Sequence, residues 1–124
     1  MSLILVVEDH PMNLLLVREV LEHRGHEIVE ASSVGDAERA LAERVPDLVL
    51  LDIQIPGGGG EAVLRSIRGR ADTAHLPVVA VTAFAMAGDR AKLLAIGFDG
   101  YVSKPIDTRE FGPTIETFLR SDDR

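Results

Sequence analysis

The stretch Leu48-Val49-Leu50-Leu51-Asp52 decides the fold of this chain, because four consecutive aliphatic residues end directly in a carboxylate. A short, continuous apolar run is typical of a strand buried on both faces, as in a parallel sheet that helices cover on each side. Three further runs end in the same way at a polar or charged side chain: Leu3–Val7 before Glu8 and Asp9, Val78–Val81 before Thr82, and Tyr101–Ser103 before Lys104. We therefore predict several buried parallel strands, each leading into a residue capable of chemistry.

The segments between these runs are predicted to be helices. Pro11 suits the first position of a helix, and Leu14, Val17 and Leu21 then lie on one apolar stripe. The alternating run Glu27–Ala31 predicts one more short strand. The other predicted helices begin at Ser33, span residues 60–67 and 89–96, and follow Asp107-Thr108-Arg109-Glu110, which resembles a capping box.

A strand followed by a helix thus recurs five times, which is the (βα)5 pattern of an α/β protein. With right-handed crossovers, this pattern predicts a doubly wound, flavodoxin-like sheet of five parallel strands in the order 2-1-3-4-5. Ligands of such sheets bind in the crevice beyond the carboxyl ends of the strands. We therefore expect the residues that end the apolar runs to share one small pocket.

Composition and charge limit the kinds of protein this can be. The 124 residues suit one domain, residues 1–124, without room for an output domain. A net charge of −7 disfavours nucleic acid, which attracts cationic surfaces, so we expect no DNA partner. The absence of cysteine excludes a disulfide framework and a thiolate metal site. Neither a secretory signal nor a membrane-spanning run is apparent, so we expect a cytoplasmic protein without membrane association.

Three carboxylates are predicted to meet at the ends of two strands. Glu8 and Asp9 follow the first strand, and Asp52 ends the third. Carboxylates this close repel one another unless a cation lies between them, and a set of oxygen ligands without His or Cys suits Mg²⁺, or Mn²⁺. As alternatives, Glu8 and Asp9 could cap the first helix, and Asp52 could be a turn residue before Pro56.

Asp52, Thr82 and Lys104 together suit phosphoryl chemistry. A carboxylate after a buried strand is unusual, because Asp is depleted from strands, and carboxylates are a known class of nucleophile. Thr82 could donate its hydroxyl to a phosphoryl oxygen, or it could simply be a threonine at a strand end. Lys104 ends a buried strand, so its ammonium group must reach either water or an anion.

These residues resemble one known family. Glu8-Asp9, Asp52-Ile53-Gln54-Ile55-Pro56 with Gly60, Thr82-Ala83 and Lys104-Pro105 are similar, in order and spacing, to the motifs of the receiver domain of two-component response regulators. The resemblance covers essentially the whole chain. The sequences of its strand ends also resemble the single-domain regulators of the DivK type, and receivers fused to hybrid histidine kinases.

The resemblance implies a role for each site residue. Asp52 would accept a phosphoryl group from a phosphohistidine on a histidine kinase or phosphotransferase. Asp9, Asp52 and the backbone carbonyl of Gln54 would hold Mg²⁺, with Glu8 acting through water. Thr82 and Lys104 would contact the phosphoryl group, and the Lys104-Pro105 peptide bond would be cis.

The resemblance also implies how the signal leaves the protein. Tyr101 would change rotamer as Thr82 moves, which would alter a protein-binding face made of residues 87–95, Tyr101 and the last helix. The partner would be a downstream protein, and the chain would be a monomer or a weak, phosphorylation-dependent homodimer. Such a protein is no enzyme in the ordinary sense, because it catalyses only its own phosphorylation and dephosphorylation.

Three other functions compete with this one. A phosphatase of the haloacid dehalogenase type needs a second Asp two residues after its nucleophile, where this chain has Gln54. A flavodoxin-like FMN carrier needs a phosphate-binding loop after the first strand, where this chain is acidic. A receiver-like module could bind its partner independently of phosphorylation, which the full set of acceptor residues disfavours.

Overall fold

Strands and helices alternate along the whole of the chain that the computed structural model describes, which comprises residues 2–55, 59–83 and 89–122. The strands are β1 (Leu3–Val7), β2 (Glu27–Ala31), β3 (Leu48–Asp52), β4 (Val78–Thr82) and β5 (Gly100–Ser103). The helices are α1 (Pro11–His23), α2 (Val34–Glu43), α3 (Gly59–Arg68), α4 (Asp89–Ile96) and α5 (Phe111–Asp122).

All neighbouring strands run parallel, and the sheet has the order β2-β1-β3-β4-β5. The predicted doubly wound (βα)5 fold and its strand order are therefore confirmed. In register, Val7 pairs with Leu51, Asp52 with Val81, and Thr82 with Ser103. Because the strands end almost level, the residues that follow β1, β3, β4 and β5 emerge at one edge of the sheet.

The core lies in two layers, one on each face of the sheet. Alternate residues of β3 point to opposite faces: Val49 and Leu51 pack in the layer under α2, α3 and α4, and Leu48 and Leu50 in the layer under α1 and α5. Every residue of β3 and β4 is buried. This explains why both strands read as continuous apolar runs.

The helix beginnings agree with the sequence pattern at two sites and differ at a third. Pro11 is the first residue of α1, and the hydroxyl of Ser33 accepts the Asp36 N–H at the start of α2. Before α5, the carboxylate of Asp107 accepts the N–H of Arg109 at 2.9 Å and forms a turn. The predicted capping box is therefore replaced by a side-chain turn, and α5 begins only at Phe111.

Within the described residues, no helix has both the length and the apolar character needed to cross a membrane.

Candidate functional site

Three carboxylates meet at the carboxyl edge of the sheet. Glu8 and Asp9 follow β1, Asp52 is the last residue of the neighbouring β3, and one carboxylate oxygen of each lies within 4.8 Å of the others. The side chains of Glu8 and Asp52 are almost fully buried, at 3% and 4% exposure, whereas Asp9 is exposed. The sheet thus brings together the three acidic residues that the sequence predicts to converge.

Lys104 joins two of these carboxylates. Its Nζ lies 2.9 Å from an oxygen of Glu8 and 3.1 Å from Oδ2 of Asp52. Lys104 directly follows β5, and its backbone N–H donates to the carbonyl of Thr82 at 2.8 Å, which fixes the start of the side chain beside the end of β4. The Lys104–Pro105 peptide bond is cis. One ammonium group thus faces a cluster of three carboxylates.

The surroundings push the two buried carboxyl groups in opposite directions. Burial and the neighbouring Asp52 raise the pKa of Glu8 to about 7, although Lys104 acts against this. Burial also opposes the ionisation of Asp52, but hydrogen bonds with Glu8, the Gln54 N–H and Lys104 outweigh it and hold the pKa of Asp52 below its ordinary value. Asp52 is therefore the ionised partner of the pair near neutral pH.

Lys104 keeps its charge for a related reason. Burial disfavours the ammonium ion, but hydrogen bonds to Glu8 and Asp52 raise the pKa of Lys104 above its ordinary value. The pocket therefore contains a fixed positive charge beside an anionic oxygen, an arrangement that suits the binding of an incoming phosphoryl group.

The backbone after Asp52 turns back toward its side chain. The N–H of Gln54 donates to Oδ1 of Asp52 at 3.0 Å, which holds the Gln54 peptide next to the Asp52 carboxylate. The N–H of Gly60 then donates to the carbonyl of Ile53 at 3.1 Å, where α3 begins. The backbone that carries the Gln54 carbonyl is therefore held at Gln54 by the carboxylate of Asp52 and at Ile53 by the first turn of α3.

Thr82 and Tyr101 lie on neighbouring strands and on the same face of the sheet. Thr82 is the last residue of β4 and only 1% exposed. Tyr101 pairs in register with Ala80, two residues before Thr82, and is half-buried against the layer that contains Ala80 and Leu93. Residues 87 and 88 of the predicted output face lie outside the described residues.

The site fits a small, hard divalent cation. Its donors are all oxygen atoms, and the single positive charge of Lys104 leaves the three carboxylates incompletely neutralised. Mg²⁺ and Mn²⁺ prefer carboxylate and carbonyl oxygens and retain several waters, which suits a cluster with one exposed member, Asp9.

Two exposed apolar side chains near the start of α1 were not predicted from the sequence. Met12 and Leu15 of α1 are 68% and 49% exposed and come shortly after Glu8 and Asp9, the acidic residues that follow β1. Their signal was present, because both fall outside the apolar stripe of Leu14, Val17 and Leu21. Exposed large apolar side chains beside a polar pocket are typical of an interaction surface.

The family model of the response regulator receiver domain matches residues 4–116, and the chain belongs to this family. Among curated relatives, it is similar to the polar-differentiation response regulators DivK of Brucella ovis and Brucella anthropi. It is 38% and 37% identical to them, over 94% of this chain and 94% of each relative. The resemblance to receiver domains, and to the DivK type, is therefore confirmed.

Solved structures agree with this assignment. The receiver domain of the sensor histidine kinase PA1611 from Pseudomonas aeruginosa, which has a magnesium ion coordinated in its active site cleft, is 28% identical, with a TM-score of 0.86 and coverage of 96% of this chain and 98% of that one. The signal receiver domain of a signal transduction histidine kinase from Syntrophus aciditrophicus is 27% identical, with a TM-score of 0.88 and coverage of 100% and 94%.

Proposed function

We propose that this DivK-like receiver domain accepts a phosphoryl group on Asp52 from the phosphohistidine of a histidine kinase or phosphotransferase. The observation that carries the proposal is the state of Asp52, a buried strand-end carboxylate with a lowered pKa and Lys104 at 3.1 Å. An ionised oxygen with a fixed cation beside it suits a nucleophile toward phosphorus, because the cation also attracts the phosphoryl oxygens.

The proposed reaction transfers one phosphoryl group from a histidine of the donor to Asp52. An oxygen of Asp52 forms a bond to phosphorus while the bond between phosphorus and the histidine nitrogen breaks, and the imidazole of the donor leaves with that electron pair. The product is an acyl phosphate, which water later hydrolyses to inorganic phosphate and free Asp52. In this proposal, Asp52 is phosphorylated and later regenerated, so the protein acts as a signalling phosphoacceptor and converts no other substrate.

We propose that Asp9, Asp52 and the backbone carbonyl of Gln54 hold Mg²⁺, with Glu8 acting through water, and that Mn²⁺ can replace it. When bound, the cation would neutralise charge on the phosphoryl oxygens. The fit rests on the convergence of three carboxylates around too little positive charge.

Thr82 and Lys104 would contact the phosphorylated product. Thr82 ends β4, the strand next to β3, and Lys104 contacts Asp52. Both side chains can therefore donate hydrogen bonds to the oxygens of a phosphoryl group on Asp52. Movement of Thr82 would be passed along the same face of the sheet to Tyr101. A downstream protein would then recognise the altered surface of α4, β5 and α5.

The phosphodonor would approach across α1. The exposed side chains of Met12 and Leu15 offer apolar contact beside the pocket, where a partner must lie to bring its phosphohistidine to Asp52. A partner that binds there would bury these side chains while its phosphoryl group enters the acidic pocket.

Phosphorylation by acetyl phosphate tests the acceptor directly. Incubated with acetyl phosphate and Mg²⁺, the wild type should gain the mass of one phosphoryl group, and Asp52→Asn should gain none. Asp72→Asn, at an exposed aspartate outside the pocket, is the matched control and should behave as the wild type. Full modification of Asp52→Asn, or unchanged modification in excess EDTA, would contradict the proposal.

A further inference from the structure

The first turn of α3 lies directly against the backbone that follows Asp52. A Cβ atom built on Gly60 would lie 2.6 Å from Cα of Ile53 and 3.1 Å from the carbonyl oxygen of Asp52. Both contacts are closer than a carbon atom can approach without displacing its neighbour. Helix and strand end can therefore meet as they do because residue 60 has no side chain.

The two sides of this contact cannot separate easily. The two atoms nearest to a Cβ at residue 60 belong to the backbone, and the third is Cβ of Ile53, which rotation of that side chain does not move, so no side-chain rotation relieves the clash. On the helix side, Val63, Leu64 and Ile67 are buried in the core, and moving α3 outward would open cavities around them. A side chain at residue 60 would therefore displace the peptide of Ile53.

Ile53 lies between the two groups proposed to bind the cation. Asp52 precedes it, and Gln54 follows it and donates its N–H to the Asp52 carboxylate at 3.0 Å. A displacement of the Ile53 peptide changes the position of the Gln54 carbonyl relative to the carboxylate of Asp52. Metal sites are sensitive to such changes, because their ligands must keep both distance and direction.

We propose that Gly60 is a positioning residue of the cation and phosphoryl site, a role that rests on the proposed function. It touches neither the cation nor the phosphoryl group. By admitting α3 to the backbone of residues 52 and 53, it sets the geometry between the acceptor carboxylate and the carbonyl two residues later. The cost of a side chain there therefore falls on ligand affinity more than on the fold.

A series of glycine variants tests this role. Gly60→Ala should weaken the binding of Mg²⁺ by about tenfold or more and reduce the binding of beryllofluoride. Gly59→Ala should reduce Mg²⁺ affinity less, because its Cβ would lie 3.2 Å from the carbonyl oxygen of Ile53, although the φ of +74° at residue 59 strains this variant and should also lower its stability. Gly35→Ala in α2 is the matched control and should leave the affinity unchanged, since its Cβ would meet only a side-chain nitrogen of Arg39 at 3.9 Å.

Affinities are measured from amide shifts of the folded protein during Mg²⁺ titration, with Leu41→Ala as a control for lost stability. Leu41 is a buried residue in the last turn of α2, so this variant should unfold more easily and still bind Mg²⁺ normally. Equal losses of affinity in Leu41→Ala and Gly60→Ala would overturn the proposal, as would wild-type affinity in Gly60→Ala.

Failure of the role of Gly60 can be distinguished from failure of the proposed function. If Gly60→Ala does not fold, the cost of a side chain at residue 60 falls on the fold rather than on ligand affinity, and the proposal is overturned. If the wild type itself neither binds Mg²⁺ nor accepts a phosphoryl group from acetyl phosphate, the proposed function fails, and the role of Gly60 fails with it.

Discussion

At the scale of single residues, Glu8 and Asp9 are adjacent in sequence but lie in different surroundings. Glu8 is buried against Lys104 and Asp52, and its second oxygen accepts the N–H of His10 at 3.3 Å, whereas Asp9 faces solvent. Successive residues that leave a strand point in different directions, so one carboxylate joins the buried pair and the other stays accessible. The exposed one is the natural first contact for a hydrated cation.

The proton on Glu8 makes a specific prediction about pH. With a pKa of about 7, Glu8 is largely protonated below neutral pH and ionised above it. A cation in the cluster favours the ionised form, so Mg²⁺ binding should release this proton. Apparent Mg²⁺ affinity should therefore rise by up to about tenfold per pH unit as the pH approaches 7 from below, and level off above it.

Isothermal titration with Mg²⁺ between about pH 5.5 and pH 8 measures this dependence. Glu8→Gln cannot ionise and should remove most of the slope, whereas Glu22→Gln, at an exposed residue of α1, should retain it. A slope that persists in Glu8→Gln would assign the proton to another group.

The sequence predicts the identity of these residues but not their ionisation. Asp52 could be located because an apolar run ends in it, and its meeting with Glu8 followed from the parallel order of the strands. The raised pKa of Glu8 depends on how deeply its side chain is buried and on a lysine far along the chain. The strand ends predict that Lys104 shares the pocket, but no sequence pattern predicts how deeply Glu8 is buried or that Lys104 contacts it directly.

At the scale of elements, Arg68 connects several segments at the edge of the sheet where β4 and β5 begin, opposite the edge that carries the site. Its guanidinium donates to the carbonyls of Leu76 at 2.6 Å, Ala74 at 3.0 Å and Gly97 at 2.8 Å, and to the carboxylate of Asp99 at 2.9 Å. These groups belong to the turn before β4, the end of α4 and the entry to β5. One side chain from α3 therefore holds the C-terminal end of α4.

Loss of this side chain should destabilise the protein. Arg68→Ala removes the guanidinium donor from the carbonyls of Ala74, Leu76 and Gly97 and the ion pair with Asp99, and we expect it to lower the free energy of unfolding by about 2–3 kcal/mol. Arg65→Ala, one turn earlier on α3 and exposed, should change it by less than about 0.5 kcal/mol. Urea unfolding followed by circular dichroism compares them, and equal effects would contradict the role given to Arg68.

The elements differ in how well their sequences predict them. β3 and β4 are recognisable because both faces are buried, and α2 because Ser33 caps it. The start of α5 was less predictable, since Asp107 uses its carboxylate in a turn rather than in a capping box. Gly112 in the first turn of that helix lies under the side chain of Arg24, which reaches across to Glu116. A contact between α1 and α5 thus explains a glycine that local sequence rules disfavour in a helix.

At the scale of the whole molecule, the sheet connects the pocket with the surface proposed for output. Lys104 and Thr82 lie at the ends of β5 and β4, and Lys104 donates its backbone N–H to the carbonyl of Thr82. Tyr101 lies on β5, three residues before Lys104, at the edge of the sheet beside α4. The backbone hydrogen bond between Lys104 and Thr82, together with the packing of α4 on β5, is the route by which we expect a change at the pocket to reach α4.

The last prediction is that a phosphoryl group shifts this whole surface and that Thr82 and Lys104 are both required. With Mg²⁺ and beryllofluoride, a mimic of the acyl phosphate, amide shifts of the wild type should extend from the pocket to residues 91–96 of α4 and to Tyr101. Thr82→Ala and Lys104→Ala retain Asp52 and the acidic cluster, so they should still bind the mimic, more weakly, while their shifts remain near the pocket.

Thr114→Ala, at an exposed threonine of α5, is the control and should show the full wild-type pattern. We expect these two residues, Thr82 and Lys104, to couple the pocket to the surface, because Thr82 ends β4 and Lys104 follows β5, the strand against which α4 packs. Shifts confined to the pocket in the wild type would rule out this output surface, and unchanged long-range shifts in both variants would show that the coupling takes another path.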